Sequence, residues 1–473
     1  MKQHHRILKN FFSLTVAEAV RKGLAFFTYA ILARVLNPAG FGDFSWAMTF
    51  VMYFLLFVDM GFNLIGTREI ARDYSIIKKY VNHIITIRSL ISLVSFSLMV
   101  IIALLINKPW DVKLLVIISG INLFANALLI DWVFQGIEKM EIIAIRQIII
   151  GALNLTGVIL FVNSPDDKLI AMLVFMLSLL INSIWLIGYF IKHYGMIKFS
   201  YDKAFWKKMI ESAIPIGMSN LFIVIITGTS IMLLGFISTS TETGIFASAH
   251  KIFMMSMIPL NIIQGTMFPV ISRATTMEQK KKLLNKYSTI VYFVGAFVCF
   301  GIMVYSKEVI TIIYGAQYAS ASMILKILMI NSLIIHFNNS YSAPLIAWNK
   351  EKEILKVTIV GATVNVVMNF VLIESYGAIG AAWANFACEL VISVLIGYII
   401  FKQIRKIYIM NYLKLVIPGG IIFFGGWYLN TIAGIDLMIT VSLSIFSYFA
   451  VCFGFGIINF KEFRNYFTKG DNL

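Results

Sequence analysis

The sequence predicts an all-α protein that crosses a membrane about fourteen times, and three observations support this fold class. Hydrophobic residues make up 59% of the 473 residues and charged residues 13%, whereas soluble proteins have about 25% charged residues. Apolar runs long enough to cross a hydrocarbon core of about 30 Å recur from one end of the chain to the other. Basic residues concentrate in alternate loops between these runs, which is typical of multi-pass membrane proteins.

Each apolar run is predicted to form one helical span, because lipid leaves every backbone polar group to be paired within the helix. In chain order the predicted spans are 11–33, 43–66, 83–106, 114–134, 142–162, 169–191, 213–236, 245–272, 287–305, 321–347, 355–373, 377–401, 412–432 and 436–458.

The net charge of +16 could indicate a nucleic-acid-binding protein, so its location decides its meaning. With fourteen spans, 28 of the 39 lysines and arginines fall in loops on one side of the membrane or in the first three residues of a span on that side, and five fall in loops on the other. This bias is the positive-inside signature, and it predicts that both termini are cytoplasmic. The basic charge therefore mainly reflects topology, and it would also attract membrane lipids. No nucleic-acid partner is expected.

Several classes of protein are disfavoured. No loop exceeds about twenty residues and the motif GxxxxGK[ST] does not occur, so no ATP-driven domain is expected. The three cysteines, Cys299, Cys388 and Cys452, all fall in predicted spans, so no disulfide framework is expected. The outer loops are short and DxD is absent, which argues against a membrane-embedded glycosyltransferase, polymerase or ligase. We expect no enzyme, cofactor or metal; coupling to a proton or sodium gradient stays open.

A short internal repeat predicts two lobes. GDFSWA at 42–47 and GIFASA at 244–249 each enter a span from the predicted outer side, and six spans separate them. An even number of spans makes the two halves parallel, as in transporters that move two lobes around a central site. The predicted division is an N-terminal six-helix lobe at 1–191, a cytoplasmic amphipathic linker at 192–212, a C-terminal six-helix lobe at 213–401, and two additional transmembrane helices with a cytoplasmic tail at 402–473.

Three stretches of the sequence resemble one transporter family. LARVLNPAGFG at 32–42 and DMGFNLIGTREIARD at 59–73 resemble the opening of polysaccharide-export flippases of the O-antigen (Wzx) type. YGAIGAAWANFACE at 376–389 is similar to a small-residue segment near that family's twelfth span. These flippases belong to the multidrug/oligosaccharidyl-lipid/polysaccharide exporter superfamily.

The resemblance implies a function in surface-polysaccharide biosynthesis, including that of lipopolysaccharide. The expected activity is transport, by alternating access, of an undecaprenyl-diphosphate-linked oligosaccharide from the cytoplasmic to the outer leaflet of a bacterial inner membrane. The implied fold is two six-helix lobes around a central cationic cavity, plus two C-terminal helices. A glycan polymerase and a chain-length regulator are further partners that this interpretation leaves open.

Three charges on one face of the first span are the strongest candidate for a substrate-binding site. Glu18 lies three residues before Arg21 and four before Lys22, so all three project from the same side of a helix. One carboxylate faces two cations, and the excess positive charge would attract a diphosphate in a low-dielectric cavity. The alternative is an ion-pair cluster that locks helices together.

Further candidates lie elsewhere in the chain. Lys251 and Lys326, in spans eight and ten, are expected to add cations to the cavity, unless their side chains snorkel to the membrane surface. Arg68 and Arg72 are predicted to form a cytoplasmic entrance, although topology alone also explains them.

Two acidic residues deep in spans are candidates for ion coupling. Asp59 and Glu389 have no evident cation one turn away in their own helices, so burial would make proton carriage feasible. Pairing with another helix explains them equally well. Arg88, Asp131 and Arg146 lie near predicted cytoplasmic ends and are expected to anchor helices.

Two other functions stay open. A drug/cation antiporter of the same superfamily would need a net acidic cavity, which the cations at Arg21 and Lys22 argue against. A non-transporting membrane scaffold for glycan assembly predicts that neutralising these two residues has no effect.

Overall fold

The computed structural model describes residues 2–405 and 407–454, and the side chains of residues 2–17 and 219 are outside this description. Within the described residues the backbone forms seventeen α-helices and two single-turn 3₁₀ helices, without a strand. The end of the predicted fourteenth span, 455–458, and the predicted tail after it lie outside the described residues.

The helices are α1 Lys2–Asp59, α2 Phe62–Arg72, α3 Ile77–Leu105, α4 Trp110–Ser119, α5 Ile121–Leu128, α6 Asp131–Gly136, α7 Met140–Phe161, α8 Lys168–Tyr194, α9 Lys203–Ile237, α10 Ser240–Ser256, α11 Ile258–Ser272, α12 Met277–Val304, α13 Ser306–Tyr314, α14 Ala321–Ala347, α15 Glu351–Ile404, α16 Ile409–Thr431 and α17 Leu437–Gly454. The 3₁₀ turns are Tyr74–Ile76 and Ala316–Tyr318.

The described residues contain twelve helical segments that are long and apolar enough to cross a membrane. Two of them, Glu18–Arg72 and Glu351–Ile404, have 55 and 54 residues. At 1.5 Å per residue each is about 80 Å long, more than twice the hydrocarbon thickness of about 30 Å. Each of these two is long enough to cross twice, so the twelve segments correspond to fourteen crossings, and the predicted all-helical fold with about fourteen spans is confirmed.

The long helices α1 and α15 are each divided by one internal non-helical residue. Asn37 in α1 has φ 58° and ψ 170°, and Gly377 in α15 has φ 54° and ψ −132°. Asparagine tolerates positive φ, Pro38 forces the preceding residue out of the helical region, and proline then suits the first turn of the next helix. Glycine alone adopts the Gly377 conformation easily. The break at Asn37 falls between predicted spans one and two, and the break at Gly377 falls on the first residue of predicted span twelve.

The chain divides into two compact units, residues 1–244 and 245–473. In the first unit α1 is the central helix and packs on α3, α4, α5, α7, α8 and α9. A buried apolar core on the predicted cytoplasmic side includes Phe62, Ile84, Trp132, Phe134 and Phe190. It holds α2, α3, α6 and α8 together at the end of the unit where basic residues are most frequent. The predicted division at 191, 213 and 401 stays a prediction.

The predicted amphipathic linker contributes the first turns of α9. The Asp202 carboxylate caps this helix by accepting hydrogen bonds from the backbone N–H groups of Ala204 and Phe205. The Trp206 indole N–H donates to Nδ1 of His83 at 3.0 Å, and the Phe205 ring lies 4.6 Å from the His83 ring. The aromatic side of this segment is therefore packed on α3.

In the second unit α14 packs between α12 and α15, and α16 lies on α12. The last described helix, α17, is held by aromatic stacking: the Tyr448 hydroxyl donates to the Phe293 carbonyl at 2.9 Å, and the two rings lie 5.4 Å apart. The two C-terminal helices are thus an integral part of this unit.

Candidate functional site

The three charges of the first span form one ion cluster within α1. The Arg21 guanidinium donates to both carboxylate oxygens of Glu18, from Nη2 at 2.6 Å and from Nε at 2.9 Å. Lys22 Nζ lies 3.4 Å from Glu18 Oε1. About a third of each of these side chains is exposed (Arg21 37%, Lys22 33%, Glu18 36%). Both pairs lie inside one helix. The alternative interpretation requires ion pairs that join α1 to a neighbouring helix, and these two pairs do not.

Intrahelical pairs of this kind contribute only about 0.2–0.5 kcal/mol each in water. Stability therefore gives little reason to place them in a span. Two cations share one carboxylate, which leaves one positive charge in excess on a partly exposed face of α1. We refer to Glu18, Arg21 and Lys22 as the α1 cation cluster. Its binding role stays a prediction.

The two predicted cations of the second unit differ in exposure. Lys326 on α14 is exposed, and Lys251 on α10 is partly buried. The convergence of these lysines with the α1 cation cluster stays a prediction.

The predicted entrance residues share one carboxylate on α2. Glu69 Oε1 accepts from Arg68 Nε at 2.8 Å and from Arg72 Nη1 at 3.4 Å. Both arginines are more than half exposed, so most of their N–H donors remain available to an anion. The helix ends at Asp73, where hydrogen bonds from the side chain and backbone of Ser75 lower the pKa of the carboxyl. The ionised Asp73 thereby caps the following 3₁₀ turn.

A group of charged and amide side chains links six helices of the first unit. The Arg88 side chain on α3 is 1% exposed and donates through Nη1 to the Asn63 side chain at 3.1 Å and to the Leu129 carbonyl at 3.2 Å. It also interacts electrostatically with Asp59 on α1 and Asp131 on α6.

The same group continues through Arg146 on α7. Its Nη2 lies 2.6 Å from Asp131 Oδ2, and its Nη1 donates to Asn182 Oδ1 on α8 at 3.1 Å. The Asn182 amide returns a hydrogen bond to the Arg146 carbonyl at 3.1 Å. We call Asp59, Asn63, Arg88, Asp131, Arg146 and Asn182 the buried ion network. Its two arginines and two aspartates compensate one another, as expected of residues that anchor helices.

Asp59 is thus close to a cation that its own helix does not provide. One of its oxygens, Oδ1, is buried without a hydrogen-bond partner among the described residues. This electrostatic interaction with Arg88 favours the pairing alternative. Pairing and ion coupling at Asp59 both stay predictions.

Glu389 on α15 is paired with an amide. The Asn338 Nδ2 group on α14 donates to Glu389 Oε2 at 2.7 Å, and the Ser393 hydroxyl donates to Asn338 Oδ1 at 2.6 Å. A neutral donor can serve a carboxylate or a carboxylic acid, so this arrangement leaves ion coupling at Glu389 open as a prediction.

The repeat glycines meet on the predicted outer side of the first unit. A methyl group on Gly42 would overlap the Ser240 carbonyl oxygen, and one on Gly244 would overlap the Pro38 carbonyl oxygen. The two backbones can approach this closely because neither residue has a side chain. We call this contact the glycine crossing of α1 and α10.

Polar contacts surround the glycine crossing. Asp43, next to Gly42, accepts a hydrogen bond from the Ser240 hydroxyl at 2.5 Å and forms an ion pair with Lys168 at 2.7 Å. Lys168 also pairs with Asp111 at 2.5 Å. The Trp46 indole N–H donates to the Met232 carbonyl at 3.1 Å. These bonds hold α1, α4, α8, α9 and the start of α10 in one arrangement.

Sequence reasoning did not find these contacts. The repeat predicts that 42–47 and 244–249 are copies but not that they touch, and no pattern in the sequence assigns a partner to Lys168. An aspartate directly after a repeat glycine, at the entrance of an apolar span, was the available signal. For the buried ion network, the available signal was that two aspartates and two arginines that could pair lie in the first six predicted spans: Asp59, Asp131, Arg88 and Arg146.

The comparisons with known proteins agree with this architecture. A family model described as polysaccharide biosynthesis protein matches residues 7–275, more than half of the chain. The chain belongs to this family. The predicted family resemblance is therefore confirmed.

The chain is similar in sequence to one relative and in fold to two solved structures. A relative from Escherichia coli (strain K12), named as an O-antigen transporter, is 26% identical over 395 residues, which cover 82% of this chain and 95% of the relative. A solved structure titled lipid II flippase MurJ, inward closed conformation, matches with a TM-score of 0.80 at 16% identity, over 93% of this chain and 98% of that one. An inward-facing multidrug resistance MATE family transporter of the MOP superfamily matches with a TM-score of 0.64 at 14% identity, over 83% and 99%.

Proposed function

We propose that this family member is a flippase for an undecaprenyl-diphosphate-linked oligosaccharide, an O-antigen unit or another surface-polysaccharide repeat unit. It would move the headgroup from the cytoplasmic to the outer leaflet of the bacterial inner membrane, with both termini in the cytoplasm. Family membership and the O-antigen transporter relative support the substrate class. The observation that carries the proposal is the α1 cation cluster, a net positive charge on the partly exposed face of a membrane helix.

The α1 cation cluster suits a diphosphate for two reasons. Glu18 holds the Arg21 guanidinium through two of its N–H groups, which leaves the other N–H donors for phosphate oxygens. The Lys22 ammonium adds a point charge four residues along the same face. Because lipid would penalise both cations, they are expected to face a hydrated cavity. The polyprenyl tail would remain in lipid while the headgroup crosses.

The energy for net transport would come from the membrane. An inside-negative potential favours outward movement of an anion by about 2.3 kcal/mol per charge per 100 mV. A proton or sodium gradient would add to this if Asp59 or Glu389 exchanges an ion during the cycle. We propose no chemical step, and therefore no enzyme activity.

Leaflet translocation of a fluorescent undecaprenyl-diphosphate oligosaccharide in proteoliposomes tests the proposal. We expect wild type to translocate the lipid and Arg21→Ala/Lys22→Ala to lose more than tenfold in rate, because the diphosphate loses both cations. The matched control, Lys203→Ala/Lys207→Ala, removes two exposed lysines from α9 and should keep the wild-type rate.

Other outcomes would contradict the proposal in different ways. A double variant with the wild-type rate would keep the flippase but remove the α1 cation cluster from substrate binding. A wild type that translocates no lipid-linked sugar under proton, sodium or voltage gradients would overturn the flippase. Transport of organic cations instead would identify an antiporter, and inactivity toward both would favour the scaffold.

A further inference from the structure

One face of α11 is polar although the helix lies within the membrane segment Ser240–Ser272. Asn261, Gln264, Gly265 and Phe268 follow one another at positions i, i+3, i+4 and i+7, so they share that face. Asn261 and Gly265 are exposed, and Gln264 and Phe268 are partly buried. An exposed carboxamide in hydrocarbon costs several kcal/mol, so this face is expected to line water.

These residues and Pro269 line a cavity of about 410 Å³. Its volume lies in the range of about 300–1,000 Å³ that is usual for small-molecule sites. None of the five lining residues is charged. The cavity therefore fits an uncharged polar ligand better than a phosphate.

A chain of hydrogen bonds sets the direction in which Gln264 points its amide. The Tyr287 hydroxyl on α12 donates to Asn339 Oδ1 on α14 at 2.6 Å. Asn339 must then present its Nδ2 group, which donates to Gln264 Oε1 at 2.9 Å. Because the Gln264 oxygen is used in this way, its NH₂ group is the part left to act as a donor toward the cavity.

The backbone provides an acceptor beside this donor. Pro269 has no N–H, so the carbonyl of Gly265, four residues earlier, receives no helical hydrogen bond from it. A Cβ added to Gly265 would have no heavy atom within 4 Å, so the position that a side chain would occupy on this face is open. The Gln264 donor, the Gly265 acceptor and the Phe268 ring thus lie within two turns of α11.

We propose that this cavity binds a sugar residue of the lipid-linked oligosaccharide, which rests on the proposed flippase function. A neutral sugar carries hydroxyl groups that both donate and accept, and these match the amides of Asn261 and Gln264 and the carbonyl of Gly265. Its apolar C–H face can pack on an aromatic ring such as Phe268. The α1 cation cluster would bind the diphosphate, and the α11 cavity would bind one sugar residue of the glycan.

Filling the cavity without removing any native side chain is the sharpest test. In Gly265→Leu the new side chain enters open space, and leucine is a better helix former than glycine, so the helix itself should tolerate it. The control is Gly425→Leu on α16, an exposed helical glycine whose Cβ would also meet nothing within 4 Å.

Two measurements separate this inference from the proposed function. The first is binding of the free oligosaccharide, released by mild acid from the lipid-linked pool of the source cells, to purified protein in nanodiscs by saturation-transfer NMR. The second is translocation of the intact lipid-linked oligosaccharide in proteoliposomes. We expect Gly265→Leu to weaken binding and slow translocation by more than tenfold each, and Gly425→Leu to change neither.

The outcomes are distinguishable. Wild-type binding of the oligosaccharide by Gly265→Leu would overturn the glycan site, whatever the translocation assay shows. Binding that is sensitive to Gly265→Leu, in a wild type that translocates no lipid, would keep the glycan site and overturn the flippase. A wild type that does not bind the oligosaccharide overturns the glycan site.

Removing the hydrogen-bond donor provides a second, independent variant. Gln264→Leu takes away the amide that the Tyr287–Asn339 chain orients, and we expect oligosaccharide binding to weaken about tenfold, the effect of one lost hydrogen bond. Thr266→Val is the control, because the Thr266 hydroxyl is exposed on the same helix but donates back to the Ile262 carbonyl. Equal effects of the two variants would contradict recognition by Gln264.

Discussion

Gly244→Leu is expected to reduce translocation by more than tenfold, because the leucine side chain would occupy the space of the Pro38 carbonyl group. Both partners at the glycine crossing are backbone, so neither can rotate away as a flexible side chain would. Overpacking of this kind typically costs about 1–3 kcal/mol. The crossing can relieve the overlap by separating α1 from α10 on the predicted outer side.

The expected consequence follows from alternating access, which requires each side of the membrane to close in turn. A leucine at the glycine crossing pushes α1 away from the start of α10, so we expect the first unit to lose the arrangement on the predicted outer side that transport needs. The translocation assay in proteoliposomes and the melting temperature of the purified protein should be measured together. We expect a large loss of rate with a smaller loss of stability.

The control for this variant is Gly188→Leu on α8. Gly188 is an exposed glycine in the same unit, and a Cβ added there meets nothing within 4 Å. It should translocate and melt like wild type. Full activity of Gly244→Leu would show that the outer side does not have to close through this contact.

Arg146→Met is expected to destabilise the protein by about 3–5 kcal/mol, the usual cost of removing one partner of a buried ion pair. Arg146 is 8% exposed and holds the Asp131 carboxylate at 2.6 Å. Methionine would fill much of the volume but leave Asp131 without this cation. The loss should be measured as a lower melting temperature and a lower denaturant midpoint in detergent.

Two further variants make this prediction specific. Arg146→Met/Asp131→Leu removes both charges and should recover most of the stability, since neither ion is left uncompensated. Lys350→Met breaks the pair with Glu353 at 3.3 Å, whose side chains are 38% and 40% exposed, and should cost less than about 1 kcal/mol. If Arg146→Met melted like Lys350→Met, the buried ion network would not be a stabilising anchor.

Local sequence patterns were sufficient for the spans and for the α1 cation cluster. Hydropathy depends on composition over about twenty residues, and the spacing of Glu18, Arg21 and Lys22 fixes their shared face once the segment is helical. The Asn37–Pro38 step predicts a break by restricting the backbone itself. The family resemblance likewise rests on continuous stretches of sequence.

Contacts between helices could not be predicted in the same way. Whether Arg146 meets Asp131, or Asn338 meets Glu389, depends on how each helix is rotated about its axis and displaced along it. Many residues far apart in the chain set these quantities through packing. A periodic pattern shows which residues share a face of one helix, but not which helix that face meets.

The sequence by itself determined that this protein is a helical, fourteen-span membrane protein with a cation cluster in its first span, because these properties depend on residues near one another in the chain. Tertiary structure alone decided the glycine crossing, the pairing within the buried ion network and the orientation of Gln264 by Tyr287 and Asn339. Each of these depends on the close approach of helices, and a repeat or a charge in the sequence specifies no partner until the helices have packed.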